Sequence, residues 1–290
     1  MFIHSRRFVA VSITGERCWL NCSFCRGYYL KGMISADRPE RLYDLMSTLV
    51  RRGVRGFLIS GGFTKKGFLP VVPFLKAIEK VKKEYGDDVF ISMHPGLAPN
   101  RGFAEAIASS GVELVDYEFT TDPWMIQGLR GLVGYGGDAY VRSLILYMDA
   151  GLRVVPHVML MYPGFSEEKM LRDLRVLADL GLRVITILYF IPTPGTPYEG
   201  LKLELRQALH LLRTVRSVWR GEVYLGCMRP FGLKPGLDRA AVHEGLVDRI
   251  ANPYHELLRQ GYPLYDACCS VPEHRLSMFR VRDGATLQRI

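Results

Sequence analysis

The stretch Cys18-Trp19-Leu20-Asn21-Cys22-Ser23-Phe24-Cys25 decides how the rest of the chain reads. Its C-x3-C-x2-C spacing gathers three thiols in one tight loop, close enough to ligate three corners of a cubic 4Fe-4S cluster while offering no fourth ligand. One iron would stay open, a place where a small molecule can coordinate and receive an electron. A zinc site would want a fourth Cys or His, and the next histidine after the loop is His94. A disulfide framework is not expected. The chain opens MFIHSRRF, with no apolar secretory segment, and six cysteines in that context point to a reducing cytoplasm and metal chemistry.

On both sides of this loop, apolar runs of period two alternate with helical runs, as repeated β-α units do. Strands are expected over 8–14, 56–60, 89–93, 112–119, 154–161, 184–190, 222–227 and 247–251. Helices are expected over 38–52, 71–85, 103–110, 139–150, after the N-cap Ser166, and over 201–219, 240–245 and 254–260. The pattern predicts an α/β fold, a partial TIM-type barrel of six β-α units, with two more units that extend it to eight. It divides into a barrel core over 1–220 and a cysteine-containing C-terminal extension over 221–290. The 48% of hydrophobic residues in 290 suffices for a packed core. No apolar run reaches the length of a membrane span. A net charge of +9 favours acidic partners without choosing among nucleic acid, acidic protein and anionic cofactor.

The cysteine loop, with aromatic Phe24 before its last thiol, resembles the signature of the radical S-adenosylmethionine (radical SAM) superfamily. The resemblance implies that Cys18, Cys22 and Cys25 hold a 4Fe-4S cluster. It also implies that S-adenosylmethionine chelates the open iron and that its reductive cleavage yields a 5'-deoxyadenosyl radical. Gly61-Gly62, ending the second strand, resembles the family's Gly-Gly-Glu motif, whose backbone binds the methionine amino group; the fourth position here is Phe63. A glycine pair after a strand is also a plain turn. Pro192-Thr193-Pro194-Gly195-Thr196-Pro197 resembles the turn of biotin-synthase-like members that lies near the adenine, and on its own reading is a rigid proline turn. His94, Glu118 and His157 stand at or near strand ends and read either as contacts to S-adenosylmethionine or substrate or as structural hydrogen-bonders. Gly134-Tyr135-Gly136-Gly137 lacks the preceding strand of a nucleotide fingerprint and reads as a loop.

Three further cysteines, Cys227, Cys268 and Cys269, fall in the last quarter of the chain. Free cysteines are common core residues, yet three together suggest a second, auxiliary 4Fe-4S cluster. Adjacent cysteines are awkward ligands for one cluster, so one of the pair reads as a bystander, with Ser277, His274 or His243 completing the set. The stretches over 226–232 and 238–253 look biotin-synthase-like, and Arg275-Leu276-Ser277-Met278 loosely resembles the C-terminal motif of bacterial lipoyl synthases. The whole is most similar to the archaeal lipoyl synthases built from two biotin-synthase-like subunits. That resemblance implies sulfur insertion into the octanoyl chain of a carrier protein (lipoyl domain or H protein). Its implied partners are a second radical SAM subunit and a low-potential ferredoxin or flavodoxin. The alternatives are a biotin-synthase-like enzyme of rearrangement, methylation or RNA modification, or a non-catalytic iron-sulfur carrier.

Overall fold

The computed structural model describes residues 2–3 and 7–281. Eight strands run in chain order: β1 (Phe8–Ser12), β2 (Gly56–Ser60), β3 (Phe90–Met93), β4 (Leu114–Glu118), β5 (Arg153–Leu160), β6 (Val184–Tyr189), β7 (Glu222–Leu225) and β8 (Arg249–Ala251). Each pairs in parallel with the next. Helices α1 (Pro39–Arg51), α2 (Leu75–Tyr85), α3 (Arg101–Ser109), α4 (Gly137–Asp149), α5 (Glu167–Asp179), α6 (Leu205–Val218) and α7 (Lys234–His243) make the crossovers. Such connections keep one hand and curl the sheet, and the strands, covered on both faces, can be apolar throughout. All four residues of β3 and all three of β8 are buried.

Three two-residue strands extend the sheet to eleven. Ile34–Ser35 lies beside β1, while Phe2–Ile3 and then Leu264–Tyr265 lie beyond β8. Among the described residues no pairing joins these two edges, so the barrel is partial. All eight expected strands form. Ser166 caps α5 by accepting from Lys169 N–H, with Glu167 and Glu168 in the first turn where the helix dipole favours them. Three boundaries differ from the sequence pattern. Helix α6 starts only at Leu205. Helix α7 starts earlier than its apolar run, because Pro235 suits a first turn. The expected last helix is a 3-10 turn, His255–Arg259, confined between Pro253 and Gly261. Among the described residues no helix is long and apolar enough to cross a membrane.

The C-terminal segment is a floor. Ala267, Cys269, Val271, Leu276 and Phe279 pack against Phe8, Phe90, Leu114 and Val155, which stand near the starts of four strands. Arg275 ties this floor to the loops entering β3 and β4, through Asp87 O at 3.0 Å and Glu113 Oε2 at 3.3 Å. Buried Arg249 donates to the carbonyls of Cys269 and Val271 and reaches Glu273 at 3.0 Å.

The loop after β7 is fixed by a second buried charge. Arg229 makes two 2.8 Å hydrogen bonds to Asp238 on α7, both side chains being 0% exposed, and also donates to the carbonyls of Gly226 and Asn252. Asp238 further accepts from Tyr254 N–H at 2.8 Å. Removing one partner of such a pair strands the other in a low-dielectric interior. Arg229→Ala is therefore expected to cost about 3–5 kcal/mol in equilibrium denaturation, whereas Arg213→Ala, at the exposed Glu244 pair, should scarcely move the midpoint.

Candidate functional site

The cysteine loop leaves β1 and sits across the C-terminal ends of the strands. Two of its turns need left-handed backbone, at Asn21 (φ 50°) and Arg26 (φ 46°). Amides of Cys25 and Arg26 donate to Cys22 O at 3.2 and 3.0 Å, which folds the last two thiols toward each other. The loop rests on the end of β2. Trp19 and Leu20 amides both donate to Phe63 O at 3.0 Å, and Gly62 N–H donates to Thr14 Oγ1 at 2.7 Å. A Cβ on Gly62 would stand 2.0 Å from Arg17 O and 2.4 Å from Cys18 Cα, so no larger residue fits beneath the loop.

Two other elements clamp it. Ser23 N–H and Oγ both donate to Leu129 O, at the end of the π-helical turn Trp124–Leu129. Arg26 donates to Gly195 O at 2.9 Å, and Tyr29 OH lies 2.6 Å from Thr193 Oγ1. The turn containing Pro194 and Gly195 is thus a brace of the cysteine loop.

Behind the loop lies a cavity of about 250 Å³ on the concave side of the sheet. That is far beyond the ~10–15 Å³ one water needs. Cys18, Cys22, Cys25, Gly61, Gly62, His94, Glu118 and His157 all line it. Hydrogen bonding between Cys22 and Cys25 divides the pair: Cys22 is pushed well up, while Cys25 is pulled down to about 7 against the burial that opposes its charge. Arg130 lowers both thiols. Its guanidinium is buried, ion-paired with Glu118, and stands 5.9 Å from the centres of the Phe24 and Tyr140 rings. Burial works against this cation, but Glu118, Tyr140 and Cys22 together raise the Arg130 pKa.

Deeper in the hollow, His94, Asp116 and His157 cluster, each with one ligand atom within 4.8 Å of the others. Burial holds both imidazoles below their ordinary pKa. Cys268 hydrogen-bonds Cys269, and this bond, with burial, raises the Cys268 thiol. Cys227 is exposed to solvent, and its pKa is raised by the atoms crowded around it and by Cys268. Both Cys227 and Cys268 feel the charge of Asp116. Cys269 is 4% exposed, within the apolar floor. Ser277, His274 and His243 are exposed.

Sequence reading passed over Arg130, Asp116, Tyr29 and the π-helical turn. Arg130 sits in Gly128-Leu129-Arg130-Gly131, which looks like any surface loop. Asp116 carried a usable signal: it precedes Glu118 by two, so both acids share one face of an otherwise apolar strand.

A family model described as the Radical SAM superfamily matches residues 12–177, more than half of the chain. No curated protein matches it. Among solved structures, methylornithine synthase (PylB) is similar with a TM-score of 0.57 and 18% identity, over 86% of this chain and 70% of that one. Streptococcus suis SuiB bound to S-adenosylmethionine gives 0.57 at 12% identity, over 86% of this chain and 51% of that one. A Bacillus HMG-CoA lyase gives 0.50 at 11% identity, over 87% and 78%. At these identities the likeness is one of fold, and a fold that serves both a synthase and a lyase does not select a reaction.

The seat of the loop is testable directly. Gly62→Ala is expected to cut the iron bound per chain after anaerobic reconstitution by more than half with the far-ultraviolet circular dichroism unchanged. Gly200→Ala, where an added Cβ meets nothing within 4 Å, should bind iron as the wild type does.

Proposed function

The chain belongs to the radical SAM superfamily, and on that premise we propose that it inserts sulfur into an unactivated C–H bond. Its place would be as one subunit of a lipoyl synthase acting on an octanoyl-lysine of a carrier protein. Family membership implies a 4Fe-4S cluster and S-adenosylmethionine, and the residues fit both. Three thiols converge with no fourth protein ligand in their loop, and Cys25 is poised to ionise near neutrality. Arg130 and Glu118 offer a buried cation and anion to line the cavity, a complementary set for a carboxylate and an ammonium on one ligand. When bound, these groups supply a carbon-centred radical able to take hydrogen from unactivated carbon.

What this chain's own residues contribute is placement and dryness. Leu20, Phe24, Leu97, Leu132, Met159 and Leu188 give the cavity an apolar wall, which keeps water and stray hydrogen donors from a reactive intermediate. Gly62 keeps the wall thin beside Cys18 and Gly61 does so beside Thr14 and Leu69, and the Pro194-Gly195 turn steadies the loop through Arg26. His94 and His157 also line the cavity, their imidazole pKa values lowered by burial.

The observation that carries sulfur insertion is the mutual proximity of a second set of thiols. Cys268 touches Cys269, and Cys227 lies near enough to be shifted by Cys268. We assign these three to an auxiliary 4Fe-4S cluster as sulfur source. The exposure of Ser277, His274 and His243 gives no support for any of them as its further ligand. A net charge of +9 suits an acidic carrier domain and an acidic ferredoxin or flavodoxin, and a second radical SAM subunit would complete the enzyme.

One observation favours a second reading. Cys269 packs among Phe8, Phe90 and Leu114 in the floor, the setting of an inert core thiol. Two remaining thiols suit a single-cluster, biotin-synthase-like enzyme of rearrangement, methylation or RNA modification.

Iron and acid-labile sulfide per chain, counted in the wild type and in the Cys227→Ala, Cys268→Ala, Cys269→Ala variant, separate the two. About eight irons falling to about four is the expected result, together with sulfur in an octanoylated lipoyl-domain product by mass spectrometry. About four in both proteins would remove the sulfur source and leave the single-cluster reading.

A further inference from the structure

Asp116 poses an unsolved electrostatic problem. Its side chain is 0% exposed, and neither Oδ1 nor Oδ2 has a hydrogen-bond partner. A buried carboxylate left in that state is costly, and proteins relieve it by pairing, protonation or a metal. The nearest cationic candidate is His157, whose Nε2 lies 3.7 Å from Oδ1, beyond hydrogen-bond reach. Two imidazoles and an unpaired carboxylate therefore face one space.

We propose that His94, Asp116 and His157 form a binding site for a first-row divalent transition-metal ion, separate from the iron-sulfur centre of the cysteine loop. The backbone supports the set rigidly. His94 directly follows β3, Asp116 lies within β4 and His157 within β5, three neighbouring strands, with Glu118 in register with His157. The two rings stand nearly perpendicular, 86° apart with centroids at 5.7 Å.

The donor set and its spacing select the ligand class. Imidazole with one carboxylate suits zinc or ferrous iron, whereas calcium and magnesium want oxygen throughout. Bonds of about 2.05 Å in a tetrahedron put neighbouring ligand atoms about 3.4 Å apart, a few tenths of an ångström inside the 3.7 Å edge between Asp116 and His157. Three acceptors around a substrate ammonium, each at about 2.8 Å, would stand about 4.6 Å apart. The observed edge is nearer the metal. All three residues line the cavity, so the ion's remaining position opens toward whatever occupies it, and an oxygen or sulfur donor on that molecule is the natural fourth ligand.

The site does not depend on which reaction the enzyme performs, and its test reads binding. The full chain, with its cluster reconstituted anaerobically, is dialysed against a chelator and then equilibrated with micromolar zinc. Zinc retained per chain is counted for the wild type, Asp116→Asn, His157→Ala and the Cys227→Ala, Cys268→Ala, Cys269→Ala variant. One zinc in the wild type and in the cysteine variant, falling at least tenfold in the other two, is the expected result. X-ray absorption at the zinc edge of the wild type supplies a reading free of any folding defect. It should show only nitrogen and oxygen neighbours at about 2.0–2.1 Å. Failure of the wild type to retain zinc, retention by Asp116→Asn, or a sulfur shell at about 2.3 Å would each overturn the assignment.

Discussion

The contact on which this structure depends is the one between the cysteine loop and Gly62. A loop that must present three thiols inward has little hydrogen bonding of its own, so its shape comes from what it leans on. It leans on bare backbone: Arg17 O and Cys18 Cα occupy the volume where any side chain at position 62 would begin. With that approach fixed, the Phe63 carbonyl, the end of the π-helical turn and the proline turn each take one part of the loop. Elements far apart in sequence thus converge on the stretch from Trp19 to Tyr29, and the placement of the thiols is over-determined.

A similar economy holds the far end of the hollow. Arg229 with Asp238, and Arg249 with the carbonyls around Cys269, are buried charges that do no packing a hydrocarbon could not do. What they fix is register: one sets the loop bearing Cys227, the other sets the segment bearing Cys268 and Cys269. Buried ion pairs add little net stability over apolar substitutes of the same volume, and their use here goes with geometry around the thiols.

Much of this was legible in sequence, for reasons that differ from residue to residue. The eight strands announced themselves because each is short, apolar and bounded by turn residues, and the cysteine spacing is local, so no tertiary knowledge was needed. Gly61-Gly62 and the proline turn were also visible, but as a pattern; that both brace the cysteine loop could be known only once the strands were curled. Arg130 escaped because a cation is buried only when a partner such as Glu118 comes to meet it, and no spacing in the chain encodes that meeting. Ser277 drew attention by its neighbours Arg275 and Leu276, whereas in the fold Arg275 ties the floor to Asp87 and Glu113 and Ser277 faces solvent. A short motif records which residues are adjacent in sequence and says nothing of which side of a turn they take.

The floor of the hollow is made from residues 267–279, while its ceiling, the cysteine loop, comes about 240 residues earlier. A chain grows from its N-terminus at a pace of several residues per second, so the two are separated by many seconds of synthesis. Throughout that interval the hydrophobic starts of the strands at Phe8, Phe90, Leu114 and Val155 have no cover, and Cys227 waits for a neighbour that does not yet exist. The order of events is written into the topology: the first set of thiols can come together once β1 and β2 have formed, and the second can do so only after residues 264–279 have packed beneath the sheet.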